Sequence, residues 1–337
     1  KRGDAENKIF CRWATNEKTA MEGALGMSYM GKRALVCMKH VGMNVCADAF
    51  MNAAITGING GLVVVAADDP SMHSSQNEQD SRFYGKFAMI PIMEPSSQQE
   101  AYDMMPYAYA LSEELKLPVL MRVVTRLAHS RAEIAVREPL KQKALCPDNE
   151  RTHWVLLPGN ARRQYATLVE KQTQLLASSE ESAYNTSEII NQKSKLGVIA
   201  CGIAYNYVME NEPQKRGVPV LKVSQYPLPE KMITDFAAQC ESLLIAEDGQ
   251  PMVEEQVKAL LERCETAEAK LRQVGDAARY LNERAGAKTQ QKANTIAGIA
   301  GLEEEQVTKV SSTAERFLRL LVEIENQMAK IGKIQAL

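Results

Sequence analysis

The stretch Lys39 to Arg82, KHVGMNVCADAFMNAAITGINGGLVVVAADDPSMHSSQNEQDSR, decides the fold. Just before it, ALVCM (Ala34 to Met38) is a short apolar run of strand formers that stops at Lys39-His40, ahead of Gly42. It reads as a strand emptying into a loop. A helix is expected around Asp48 to Ile55, followed by a turn at Gly57-Ile58-Asn59-Gly60-Gly61. LVVVAA (Leu62 to Ala67) is apolar on both alternating faces, as a strand is when helices cover both sides of a parallel sheet. It empties into Asp68-Asp69-Pro70, which is simplest as a turn and not as a metal site. Open parallel sheets take ligands at the carboxyl ends of their strands, so both polar exits fall where a site is expected.

Working outward, IFCRWA (Ile9 to Ala14) is strand-like and TAMEGALGMSYMG (Thr19 to Gly31) is a small-residue helix with Ala20, Ala24, Met27 and Met30 spaced for one face. Glu17 falls in or beside the first turn of that helix; taken alone it is a solvated residue that suits the helix dipole. Downstream, FAMIPIMEP (Phe87 to Pro95) and LPVLMRVVTR (Leu117 to Arg126) read as strands. Between them runs a helix from about Ser97 to Leu115, turning Tyr102, Met105, Ala108, Tyr109 and Leu111 toward the sheet. Repeated strand, helix, strand order predicts a doubly wound α/β domain over residues 1–135. Residues 136–194 read as a helical linker, with Tyr165, Leu168, Val169, Leu175 and Leu176 in helical spacing. Residues 195–250 form a second, smaller α/β unit from LGVIACG to SLLIAED. In residues 251–337, apolar positions from Val257 to Ala285 and from Val307 to Ile331 alternate spacings of three and four. That is the seam of an α-helical coiled-coil hairpin with arms of roughly 40 Å.

The chain has 337 residues and a net charge of −2. With no basic excess, nucleic acid and anionic membrane surfaces are not expected partners. The apolar runs are strand-sized, so no membrane span is expected. A chain opening on Lys1 and not Met is expected to lack its true amino terminus. Seven cysteines are scattered without a CxxC pair. This predicts buried free thiols, a reducing cytoplasmic location and no clustered-cysteine iron–sulfur site. No metal ligands are assigned.

The strings ATNEKTAMEGALGMSYMGKRALVCMKHVGMNVCAD, VVVAADDPSMHSSQNEQDSRFYGKFAMIPIMEPSSQQEAYDM and SKLGVIACGIAYNYV, with YPLPEK, closely resemble the large subunit of the indolepyruvate:ferredoxin oxidoreductases. These are thiamine-diphosphate-dependent 2-oxoacid:ferredoxin oxidoreductases. The resemblance covers roughly residues 10–261. It implies a thiamine pyrimidine-type first domain and a transketolase-C-like second one. It makes Glu17 the carboxylate that hydrogen-bonds the aminopyrimidine ring and thereby activates the cofactor. Glu22 is a nearby decoy. Glu17 and His40 are then the catalytic candidates, and Glu17, Lys39, Asn44, His73, Ser74 and Gln76 the cofactor-binding ones. On the residues alone, Lys39-His40 is more simply a solvated pair at a strand end, Asn44 or Asp48 a helix cap, and Asp80 with Arg82 a local ion pair.

The same resemblance implies oxidative decarboxylation of an aryl pyruvate such as indolepyruvate to an acyl-coenzyme A, with electrons passing to ferredoxin. The family's diphosphate domain, with its Gly-Asp-Gly motif and Mg²⁺, and its ferredoxin-like domain are not found in these residues. Thiamine diphosphate would be held here at its pyrimidine half. Mg²⁺, the diphosphate-binding subunit and a 4Fe-4S iron–sulfur partner would come from another polypeptide or a missing segment, in a hetero- or homo-oligomer. The alternative is a non-catalytic assembly or regulatory subunit built on the same fold. Gly202, Tyr205 and Asn206 read as a docking or effector surface. Nucleotide binding at Gly57 to Gly61 is disfavoured because the spacing is not GxGxxG.

Overall fold

Asn16 opens the first helix by accepting the Thr19 amide (2.9 Å), and the Thr19 hydroxyl oxygen in turn accepts the Asn16 amide (3.3 Å), a reciprocal cap that fixes where the helix starts. In the computed structural model, which describes residues 9–140, 143–187 and 193–265, this is α1 (Glu17–Tyr29). The chain then runs through β1 (Ala34–Lys39), α2 (His40–Thr56), β2 (Leu62–Asp68), α3 (Arg82–Ala88), β3 (Ile92–Met93), α4 (Gln98–Leu115), β4 (Val119–Val124) and α5 (Thr125–His129). There follow α6 (Arg151–Trp154), α7 (Pro158–Glu170), α8 (Gln172–Glu180), β5 (Thr186–Ser187), β6 (Ser194–Cys201) and α9 (Ala204–Glu210). The last elements are β7 (Val220–Val223), β8 (Gln225–Tyr226), α10 (Glu230–Ala237) and β9 (Cys240–Ala246). The described residues up to Leu261 belong to one compact unit. Most of the coiled-coil hairpin expected over 251–337 lies outside the described residues.

Two mixed sheets result. The first has the order β1-β2-β4-β3-β8, parallel except for β8, which runs antiparallel to β3. The second has the order β5-β7-β6-β9, with β5 the antiparallel member. In the first sheet Lys39 pairs in register with Ala67, and Asp68 with Val124. The polar residues that leave β1, β2 and β4 therefore gather at one end, the carboxyl end predicted to hold a site. β2 is buried along nearly its whole length, as its two-faced apolar run required.

Several expectations are corrected. β1 does not empty into a loop. Helix α2 begins immediately at His40, because His40, Met43, Cys46, Phe50 and Ala53 repeat at helical spacing and all are buried. That buried face outweighs the loop signal of Lys39-His40-Gly42, and it places Asn44 and Asp48 inside the helix and not at its cap. The strand expected over Phe87–Pro95 shrinks to Ile92–Met93: α3 runs through Ala88 and ends at Met89 in a left-handed conformation (φ 60°). In α4 the buried residues are Met104, Ala108, Leu111, Ser112 and Leu115, so Met104 and not Met105 meets the sheet. The cysteines also divide: Cys46, Cys201 and Cys240 are buried, Cys264 is half-buried, Cys11, Cys37 and Cys146 are exposed, and all are free. Cys37 stands on the uncovered face of the edge strand β1.

The YPLPE turn is part of the junction between the sheets. The chain leaves β7 and, one residue later, enters β8 on the edge of the other sheet. Asn185 Oδ1 accepts the amides of Ser224 (2.8 Å) and Gln225 (2.9 Å), while the Ser224 carbonyl accepts from the Glu94 amide (2.8 Å). Gly202 packs against the Glu94 side chain and Asn206 donates to the Ser96 carbonyl (2.6 Å). This face of the second sheet is thus docked on the first sheet, and not held open as an effector surface. Among the described residues no helix is long and apolar enough to cross a membrane.

Candidate functional site

The site is built around the first turn of α2. Glu17, the first residue of α1, lays its side chain across Gly42. A Cβ on Gly42 would stand 2.5 Å from Glu17 Cγ and 3.1 Å from Oε1, so the glycine supplies the space that the carboxylate occupies. Gly42 is buried, Glu17 half-buried, and among the described residues no hydrogen bond or ion pair engages the carboxylate. Glu22, one and a half turns on, instead reaches toward Lys18 on the exposed flank of α1. Beneath Glu17 lies Cys46, whose thiol is pushed up to about 11 by burial, with the Glu17 charge adding to the rise.

His40 is wholly buried. Its Nε2 lies 3.1 Å from the Asn77 carbonyl. A carbonyl oxygen can only accept, so Nε2 carries the hydrogen and a neutral ring presents Nδ1 as a bare acceptor. Nδ1 is buried and has no hydrogen-bond partner among the described residues. An unmet buried acceptor of this kind is costly unless something donates to it.

The polar loop after β2 folds over this turn. Lys39 Nζ donates to the Ser74 carbonyl (3.4 Å), Asn44 Nδ2 donates to Gln79 Oε1 (2.6 Å), and the Tyr84 hydroxyl donates to Asn44 Oδ1. The loop starts on Asp69, which accepts the amides of His73 (3.2 Å) and Ser74 (2.8 Å) and the Thr125 hydroxyl (2.7 Å). These bonds, the Ser74 amide foremost, hold the Asp69 carboxyl well below the usual carboxylate range. The Asp-Asp-Pro turn is therefore an anchor for the loop. The side chains of His73, Ser74 and Gln76 are left exposed above it.

Glu17, Lys39, His40, Asn44 and the His73–Gln79 loop thus come together at one sheet end. Gly42, Gln79 and Tyr84 were missed by reading the sequence; only the position of Gly42, two residues after His40, hinted at a close approach. The larger omission is a buried charge cluster behind the loop. Arg82 pairs with Asp80 and, through Nη1, with Glu247 (2.9 Å). Arg122 Nε pairs with Asp68 (2.6 Å) and its Nη1 with Glu94, which also accepts the Tyr226 hydroxyl (2.6 Å). Asp80 with Arg82 is thus one part of a cluster of two guanidiniums and four carboxylates. Burial pushes the Asp68 carboxyl up against the opposing pull of Arg122; Asp80 is held low, despite its burial, by Arg82 and Arg122. The available signal was Arg122, a charge in the middle of an otherwise apolar strand. Among the described residues no group of His, Cys, Asp and Glu is arranged to hold a metal ion.

The two docked sheets make an α/β protein whose fold is similar to that of a solved 2-oxoacid:ferredoxin oxidoreductase. The 2-oxoglutarate:ferredoxin oxidoreductase of Magnetococcus marinus, solved with 2-oxoglutarate, coenzyme A and succinyl-CoA, superposes with a TM-score of 0.62 over 77% of this chain and 53% of that one, at 14% identity, a likeness of fold. More particularly, the chain is related to the indolepyruvate oxidoreductase subunits IorA. It is 41% identical over 266 residues to that of Archaeoglobus fulgidus, covering 75% of this chain and 41% of that protein. It is 39% identical over 257 residues to that of Methanothermobacter thermautotrophicus (75% and 41%). With that of Pyrococcus abyssi it is 41% identical over 259 residues (74% and 40%). The chain spans about two fifths of the length of these relatives. No family model matches it.

Proposed function

We propose that this chain supplies the pyrimidine-binding half of the thiamine diphosphate site in an indolepyruvate:ferredoxin oxidoreductase, with residues 1–135 as the pyrimidine-type domain and 195–250 as the transketolase-C-like one. The observation that carries the reading is the Glu17 carboxylate, seated on Gly42 and engaged by no hydrogen bond or ion pair among the described residues, in the same helix turn that buries the His40 Nδ1, which meets no donor there. A heteroaromatic ring with both a basic ring nitrogen and an exocyclic amine would satisfy such a pair. The residues present fit that end of thiamine diphosphate; none of them is offered for its diphosphate.

When bound, the cofactor supplies the electron sink that a 2-oxoacid needs to lose carbon dioxide. The chain's residues bind, orient and hold protons. Glu17 shares a proton with the pyrimidine nitrogen and so polarises the ring. His40, fixed by Asn77, accepts at Nδ1. Lys39, tethered to Ser74, offers a cation to the substrate carboxylate, and His73, Ser74, Gln76 and Asn44 line the entrance with neutral hydrogen bonders. The diphosphate, its Mg²⁺ and the iron–sulfur clusters belong to a partner subunit or another segment. The substrates are an aryl pyruvate and coenzyme A, and ferredoxin takes the electrons. The 40% identity to IorA proteins supports this reading over a purely architectural subunit, which nothing in the fold favours.

The test is to purify the full chain with the proteins that accompany it and assay the complex for thiamine diphosphate and for indolepyruvate-dependent reduction of ferredoxin. The cofactor and the reaction, both lost when this chain is omitted, are the expected result. A complex that lacks thiamine diphosphate and keeps its activity without this chain would overturn the proposal.

A further inference from the structure

The His73 loop is clamped at both ends by the buried guanidinium pair, and the pair is in turn covered by the second sheet. At the start of the loop, Asp68 accepts the amide (2.9 Å) and hydroxyl (2.5 Å) of Ser81 and Nε of Arg122. These bonds close residues 69–80 into a staple. At its end, Asp80 binds Nε of Arg82 (2.9 Å). Both arginines then reach the turn that leaves β9. Arg122 Nη2 donates to the Asp248 carbonyl (2.6 Å) and Arg82 Nη2 to the Gln250 carbonyl (3.0 Å), and the Gln250 amide returns a bond to Asp80 (3.2 Å). Gly249 lets this turn close: its φ is +123°, and a Cβ there would stand 2.7 Å from Asp80 Oδ2 and 2.9 Å from Arg122 Nη2. Glu247 joins in twice, pairing with Arg82 (2.9 Å) and capping the helix that begins at residue 252 through the amides of Val253 and Glu254 (both 3.0 Å).

Stability alone does not account for such a cluster. Burying six charges costs several kcal/mol per ion in desolvation, and apolar residues of the same volume often serve as well. What the cluster specifies is geometry, because each guanidinium joins a loop end to the second sheet with directional bonds. Among the described residues no hydrogen bond or ion pair joins either arginine to the first turn of α2, so neither is a catalytic candidate.

We propose that Arg82 and Arg122 are positioning residues. They fix the His73 loop over the first turn of α2 only while the Glu247–Gln250 turn is seated, so the docking of the second sheet sets the conformation of the candidate site. The consequence for cofactor binding rests on the function proposed above; the coupling itself does not.

Amide hydrogen exchange on the full 337-residue chain tests it. Gly249→Ala, which puts a methyl group against Asp80 and Arg122 without removing a charge, is expected to speed exchange in residues 69–80 by about tenfold or more, while residues 34–66 and 98–115 exchange as in the wild type. Glu247→Gln, which keeps the shape and the helix cap but loses the ion pair, should give the same localised pattern with a smaller rise; it decides the matter should Gly249→Ala not fold. Wild-type exchange in residues 69–80 would overturn the proposal, and so would acceleration spread evenly over the sheet, since the cluster would then merely hold the fold together. Titration of the complex with thiamine diphosphate separates the two claims. Localised exchange without any cofactor binding by the wild type retains the coupling and removes the functional reading. Binding unaltered by a loosened loop removes the loop from the site.

Discussion

Glu17 and Gly42 are in contact across the two helices that frame the candidate site: Glu17 Cγ and Oε1 occupy the space that a side chain at residue 42 would need. A carboxylate that must meet a ring at one defined point is thus seated against backbone and not left to swing on a flexible stem. Gly42→Ala is expected to push Glu17 aside, since the clash at 2.5 Å involves the near end of the Glu17 side chain. A displacement of this order costs about 10²-fold in turnover where catalysis depends on position. Alanine suits a helix interior better than glycine by up to about 1 kcal/mol, but overpacking at this buried position costs about 1–3 kcal/mol, so the melting temperature should fall only modestly. Steady-state kinetics beside a melting curve on the complex checks both halves.

The charge cluster makes a prediction of the opposite kind. Arg122→Leu leaves Asp68 buried without its cation and Glu94 with only the more distant Arg82 (3.7 Å), and removing one partner of such a cluster costs about 3–5 kcal/mol. Urea denaturation of the chain should register a loss of that size. A loss under 1 kcal/mol would mean that the carboxylates simply take up protons at little cost.

Asp69 gives the pH dependence. Its carboxyl is held low in the folded chain by the Ser74 and His73 amides and the Thr125 hydroxyl. A lowered folded value means that its contribution to stability is fully present above the unfolded value near ~3.9 and is lost as pH falls through the folded one. Asp69→Asn should therefore be less stable than the wild type at pH 7, with the gap closing progressively below about pH 4. Denaturation curves for both proteins at pH 7, 5 and 3 measure that gap. One that stays constant across the series would show that the charge of Asp69 contributes nothing.

What could be read in the sequence was the part governed by local pattern. The two-faced run Leu62–Ala67 announced a covered parallel strand, and the polar exits at Lys39 and Asp68 announced the end of the sheet where candidate residues gather. What could not be read depends on contacts between distant residues. Lys39-His40 signalled a loop because both are polar, yet His40 is buried at a helix start whose apolar face pulls it inside. Asp80 and Arg82 suggest a local pair, and their connection to Glu247 spans 165 residues or more, beyond any motif. Gly249 is one glycine among 19 until the groups that approach it are known.

The central claim is that Glu17 acts as a proton-sharing carboxylate on the pyrimidine ring of a cofactor held jointly with a partner. Glu17→Gln keeps the size of the side chain and the contact with Gly42 but removes the acid. Turnover of indolepyruvate by the assembled complex should fall by at least about 10²-fold, the usual scale for losing proton-transfer assistance, with the chain still folded and the complex still formed. Turnover equal to the wild type in a complex carrying Glu17→Gln would contradict the account.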